Sequence, residues 1–512
     1  MNARIRPEVP DTLATLATLL AARAAQFPDK AYLLSPDSGR ALSFSALAAD
    51  ADALGRCYAE AGLASGQTVS VYLPNGEQTA RLLLGTMACG LVANPINLLC
   101  QPAQLRYIVG HADTRLVFTS PEGEAAIRTA LAEAGVEVPV VVTAPDGNTL
   151  PALPVRQAGA APLPPPQPHH PALLMYTSGT TGTPKGVLLT HRNLAANGAS
   201  VSREHALGAG DRVLATLPLY HINGLVVTAI APLVHGGSVV MPTRFSASAF
   251  WHDIARHGCT WLNVVPTIIA YLLNDPDGRA PAGVRFCRSA SAALPPEHHR
   301  AFEQRFGIGV IETMGMTETA APAFSNPLDP QQRRIGSIGR PSGTQARVVG
   351  RDGQPLPDGE TGEIVLHGES VMAGYYKAPE VTREAFTPDG WLRTGDLGYR
   401  DAEGYFYITG RAKELIIKGG ENIAPREIDE ALLRHPGVLE AAAVGVPDPA
   451  YGQEIVAFVV RREAAACDDA ALRAHCLREL GRYKTPREFR FIAELPRGPS
   501  GKVQRLKLLD PA

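Results

Sequence analysis

A run of apolar residues, Ala172–Thr177 (ALLMYT), passes without a break into Ser178-Gly-Thr-Thr-Gly-Thr-Pro-Lys-Gly186. The first part reads as a strand. The second reads as a loop whose small side chains let the backbone close round phosphates, with hydroxyls, backbone N–H groups and one Lys to offset their charge. This is not the common nucleotide loop G-x-x-x-x-G-K-[ST]. Pro184 stands where the second Gly should be, and Gly186 where Ser or Thr should meet magnesium.

The rest of the chain fits an α/β setting for that loop. Leu13, Leu16, Leu19 and Leu20 recur at helical spacing over 12–27. Ser45 is placed to cap a second helix, with Leu47, Leu54 and Cys57 on one face. VSVYLPN (69–75) and TRLVFTS (114–120) read as strands, so helices alternate with strands of a largely parallel sheet. PLPPPQP within 161–171 is a connector, since consecutive prolines forbid a regular helix.

From about 344 to 410, short apolar runs are separated by DG, DGETG and EGY turns, the texture of a small β-rich unit. After Gly410 a helix, PREIDEALLRH, starts with Pro425 in its first turn. Two strands follow, then a helix near 468–480 and a strand near 488–492. The expected fold class is therefore α/β. A large N-terminal domain, 1–410, includes the β-rich part, and a small mobile α+β C-terminal domain spans 411–512.

With 512 residues the chain exceeds one ordinary core. Net charge of −2 argues against a nucleic-acid surface. No 18-residue apolar run and no apolar leader core are visible, so no membrane insertion is expected. Seven scattered cysteines without a CxxC pair read as reduced thiols of a cytoplasmic protein.

The segment YTSGTTGTPKG (176–186) resembles the phosphate loop of the adenylate-forming superfamily: acyl-CoA synthetases, peptide-synthetase adenylation domains and luciferases. Further motifs follow in that family's order: PLYHINGL (218–225), ETMGMTET (312–319), WLRTGD (391–396), GRAKELIIKGGENIAPREI (410–428) and RGPSGKVQR (497–505). The resemblance runs from about residue 12 to 508. It implies an acyl-CoA synthetase with ATP, Mg²⁺ and coenzyme A as partners. An acid is first activated as acyl-adenylate, then passed to the thiol.

The resemblance also implies roles, residue by residue. Thr177, Ser178, Gly179, Thr180, Thr181, Gly182 and Lys185 would hold the phosphates of ATP. Glu318 and Thr177 would serve Mg²⁺. Ser291, Ala292, Glu312, Thr313, Met314 and Thr317 would border the nucleotide, with Asp396 and Arg411 at the ribose. Lys502 would be the catalytic lysine, because a carboxylate attacking a phosphate brings two anions together and a positioned ammonium offsets them. Glu318 and His221 complete the expected catalytic set. His221, Gly224, Arg288, Ser289 and Met314 would line the acyl pocket. Lys413 would be the hinge between domains, and Gly419, Gly420 and Glu421 would face coenzyme A. The paired histidines 169/170 and 298/299 sit in polar context and are assigned to the surface.

RSASAALP (288–295), SNPL (325–328) and RIGSIGRP (334–341) are similar to the small-acid branch that includes oxalate–CoA ligases. This chain departs from that branch after Glu318, where Thr-Ala-Ala-Pro-Ala replaces a stretch carrying His. Arg288 is a candidate partner for a second anionic group, as in sulfoacetate or oxalate. A strand-end Arg facing solvent or pairing with a carboxylate is the other reading of that residue. A short-chain or aryl acid, and a carrier protein in place of coenzyme A, stay open as alternatives.

Overall fold

The computed structural model describes residues 14–177, 184–462, 467–497 and 503–509. A nine-stranded sheet and a seven-stranded sheet make up the large N-terminal part. In the first, Ala31–Leu34, Ser238–Val240, Arg212–Ala215, Trp261–Val264, Phe286–Ser289 and Val310–Met316 run parallel as neighbours, with antiparallel strands at both edges. In the second, Val92–Pro95, Thr68–Tyr72, Thr114–Thr119 and Val140–Val142 run parallel. Pro171–Thr177 joins them in parallel and pairs antiparallel with Lys185–Thr190. Helices cover both sheets, as the alternating pattern predicts.

The β-rich unit is a four-stranded antiparallel sheet of Gln345–Val349, Gly362–His367, Leu392–Arg400 and Phe406–Arg411. One continuous core ties all three sheets together: Leu33 and Trp261 from the first, Val69 and Leu173 from the second, Ile364 and Phe406 from the third. The C-terminal part instead has cores of its own. Ile416, Ile428, Val459 and Leu472 bury one face of its five-stranded sheet, and Val444, Val456 and Leu495 the other. Apolar cores of its own mark the C-terminal unit as a separate packing unit.

Two expectations need correction. Ser43, not Ser45, caps the helix Phe44–Glu60: its Oγ accepts the N–H of Ala46 at 3.1 Å, while Ser45 Oγ donates to Pro28 O at 2.7 Å. A cap must lie in extended backbone just before the helix, and Ser45 is already inside it. His299 is buried, with Nε2 3.3 Å from Glu303 Oε1 one helical turn on. Its position in Pro296–Phe306 turns it inward while its neighbour His298 stays half-buried. All seven cysteines are unpaired.

Candidate active site

A cavity of about 1220 Å³ opens where the parallel strands of both large sheets end. Its walls come from residues at the ends of those strands or just past them: Asn75, Ile96 and Thr177 from one sheet, Thr216, Val265, Ser291 and Gly315 from the other. Carboxyl ends of parallel strands are where α/β folds place ligands. Asn75 joins the sheets here, its Nδ2 donating to Leu217 O (3.0 Å) and its Oδ1 accepting the N–H of Leu219 (2.9 Å).

The phosphate-loop motif is a hairpin connection. Thr177 pairs with Lys185 in register, so both flank the loop's base and both line the cavity. Ser178, Gly179, Thr180, Thr181 and Gly182 lie outside the described residues, as does Lys502. Across from Lys185, its Nζ sits 5.0 Å from the ring of Tyr375, whose hydroxyl donates to Glu318 Oε1 at 2.8 Å. Glu318 is buried at the cavity wall, next to Thr317. A cation, a phenol and a carboxylate are thus lined up at one end of the cavity. Burial and the Glu318 charge push the Tyr375 phenol strongly up, so it stays a donor. Among the described residues no group of three or more His, Cys, Asp or Glu converges as a metal cage. Glu318 and Thr177 offer oxygen ligands only, the kind that suit Mg²⁺ carried by phosphates.

Asp396 is buried beside the cavity, and its Oδ1 accepts from Nε of Arg411 at 2.9 Å. The two are register partners on adjacent antiparallel strands. Asp396, followed by Glu414 and Glu318, holds the Arg411 guanidinium above its ordinary range. Arg411 and Lys413 line the cavity, and Lys413 sits in the turn at 412–414 that leads into the C-terminal unit. Arg497 lines the cavity and forms an antiparallel bridge with Val503.

Arg288 is the most unusual wall residue. It is fully buried in Phe286–Ser289. Nη1 donates to Oδ1 of Asn223 (3.1 Å) and Oδ1 of Asn263 (2.8 Å), and Nη2 donates to Thr313 Oγ1 (2.8 Å). Nε has no partner. No carboxylate among the described residues forms an ion pair with it, so neither the solvent-facing nor the carboxylate-paired reading holds. Burial pulls the guanidinium down to about 9, still charged at neutral pH. A buried charge held only by neutral oxygens is costly unless an anion joins it.

Of the other expected site residues, His221 and Ser291 line the cavity. Ser291 holds φ +74, a strained value for a residue with a Cβ, and its Oγ accepts from Asn223 Nδ2 at 3.3 Å. Gly224 lies behind the wall: a Cβ there would meet Pro218 O at 2.2 Å, so only glycine fits. Ser289, Ala292, Glu312, Thr313 and Met314 do not reach the described wall. Thr313 acts on Arg288 instead. Glu312 is buried, accepts the N–H of Leu294 at 3.3 Å, and burial pushes its carboxyl up to about 7. Gly419 and Gly420, at φ +55 and +86, form the two-residue turn between Ile416–Lys418 and Glu421–Ile423, and Glu421 begins the return strand. Sequence reading did not single out Tyr375, Asn75, Asn223 or Asn263. An Asn inside the apolar run WLNVV (261–265) was the available signal.

The AMP-binding enzyme family matches residues 20–376, and its C-terminal domain matches residues 427–502. The chain belongs to the AMP-binding enzyme family. It is 86% identical over 512 residues, the whole of both chains, to sulfoacetate–CoA ligase of Cupriavidus necator. Oxalate–CoA ligase of Arabidopsis thaliana is 33% identical, over 96% of this chain and 97% of that protein. ATP-bound MatB from Rhodopseudomonas palustris superposes with a TM-score of 0.89 at 33% identity, covering 96% of this chain and 98% of that one.

Proposed function

We propose that this chain is an AMP-forming acid–CoA ligase whose acid carries a second anionic group, with sulfoacetate as its substrate. The single observation behind the choice of acid is Arg288, a buried guanidinium beside the cavity with only neutral oxygens around it. The activity named for the 86%-identical relative supports the same acid.

In the first half-reaction a carboxylate oxygen of the acid attacks the α-phosphorus of ATP and pyrophosphate leaves. Thr177, Ser178, Gly179, Thr180, Thr181, Gly182 and Lys185 hold the phosphates, and Lys502 offsets the charge gathering at the α-phosphate. Glu318 and Thr177 would hold Mg²⁺, which would supply positive charge against the phosphates. Asp396 accepts from the ribose hydroxyls and Arg411 supports it. Ser291 and Thr317 border the nucleotide, with Ala292, Glu312 and Met314 behind them. His221 faces the acyl group. In the second half-reaction the thiol of coenzyme A attacks the acyl carbonyl and AMP leaves. The C-terminal domain, 411–512, turns on Lys413 against the N-terminal domain, 1–410. Gly419, Gly420 and Glu421 then reach the thiol's arm. No helix of the described residues is long and apolar enough to cross a membrane, which accords with a cytoplasmic setting.

The test is a panel of acids with ATP, scored for AMP release with and without coenzyme A. It pairs sulfoacetate with methylsulfonylacetate, which replaces one sulfonate oxygen by methyl and so removes the tail charge at nearly constant size. Sulfoacetate should be favoured and its AMP release should depend on coenzyme A. A preference for methylsulfonylacetate would overturn the assignment.

A further inference from the structure

Asn263 is fully buried and does not line the cavity, yet it makes the shortest amide contact to Arg288. The sheet explains why. Trp261–Val264 and Phe286–Ser289 are parallel neighbours in which Asn263 and Arg288 are register partners. Register partners project to the same face of a sheet, so the amide and the guanidinium meet side by side. Asn263 Nδ2 in turn lies 3.4 Å from both O and Oδ1 of Asn223, the second amide on the same guanidinium nitrogen. That contact turns both Oδ1 atoms toward Arg288.

A guanidinium has five N–H donors. Three are taken by Asn223, Asn263 and Thr313, and Nε–H is buried without a partner. The three acceptors fix the plane of the group but leave its full positive charge uncompensated. A carboxylate at position 263 would occupy almost the same volume and cancel that charge. The choice of amide over acid at this position therefore decides whether the pocket presents a cation or a closed ion pair.

We propose that Asn263 is a positioning residue that sets the charge preference of the acid pocket: its amide orients Arg288 while leaving the charge for the substrate's second anionic group. This deepens the reading of Arg288 above and rests on it. A tail anion beside this part of the cavity wall would meet a guanidinium charge that no carboxylate among the described residues has cancelled.

The experiment compares kcat/KM for sulfoacetate and for methylsulfonylacetate in the wild type, Asn263→Asp and Asn223→Asp. An Asp at either position stays ionised beside the guanidinium and pairs with it. The ratio of the two kcat/KM values should fall at least tenfold in each variant, chiefly through KM for sulfoacetate. Thermal melting confirms that each variant is folded. If one variant does not fold, the other reads the same nitrogen. Folded variants with an unchanged ratio, or equal losses on both acids, would overturn the proposal. So would failure of both variants to fold, because the amides would then be structural. A wild type that does not prefer sulfoacetate would instead sink the substrate reading itself, a separate and recognisable result.

Discussion

Replacing Arg288 by Leu removes a cavity-wall cation that, among the described residues, is fully buried and hydrogen-bonded only to neutral side chains. The magnitude follows from its setting. Charge-assisted hydrogen bonds are worth about 1.5–3 kcal/mol each. Arg288 is fully buried, so solvent and salt screen it little. At about 1.4 kcal/mol per decade, loss of one such contact lowers kcat/KM for sulfoacetate by about ten- to a hundredfold. Methylsulfonylacetate, with no tail charge, should lose much less. Initial rates of pyrophosphate release at subsaturating acid give both constants. The substitution also strips a donor from Asn223, Asn263 and Thr313, so melting temperature is followed separately to divide a folding defect from a recognition defect. Arg288→Lys keeps the charge but loses the planar fork, and should fall between wild type and Leu. Parallel losses on both acids in a folded protein would refute the reasoning and make Arg288 a structural residue.

Lys502→Ala should abolish adenylation yet largely spare thioester formation from preformed acyl-adenylate, and equal loss of both half-reactions would remove its proposed role. Lys413→Pro fixes φ near −65° at the turn between the domains, so thioester formation should fall further than ATP–pyrophosphate exchange. Glu312→Gln should raise the melting temperature at pH 8 and leave it unchanged near pH 4. Burial lifts the folded carboxyl from its usual 4.5 to about 7. Stability present below pH 4.5 is therefore lost as pH rises through 7, and a neutral Gln escapes that loss. A gain independent of pH would contradict this.

What was legible in the sequence, and what was not, divides along a physical line. The phosphate loop and WLRTGD are local: their expected chemistry is carried by consecutive residues, and the strand expected before the first and the β-rich unit expected around the second both appear. Motifs read as strings fare worse once they lie on strands, because successive side chains point to opposite faces. In Val310–Met316, Thr313 reaches Arg288 while Glu312 turns to Leu294 N–H on the other side. In Phe286–Ser289, Arg288 faces the amides and Ser289 does not. A motif carried over whole therefore assigns roughly twice as many residues to a site as one sheet face can present.

The surroundings of Arg288 were illegible for a different reason. Its partners are 65 residues away at Asn223 and 25 away, in opposite directions, at Asn263 and Thr313. No local pattern links them. Only the strand order, Val310–Met316 beside Phe286–Ser289 beside Trp261–Val264, makes them neighbours. A lone Arg in a sequence is most often solvated or paired with an acid, and nothing nearby in the chain says otherwise. The sheet turns that ordinary residue into an unbalanced buried charge, and an unbalanced buried charge is a demand on the ligand. On the proposed reading of Arg288, substrate selection in this chain is written in sheet register, one level above the motifs that identify the reaction.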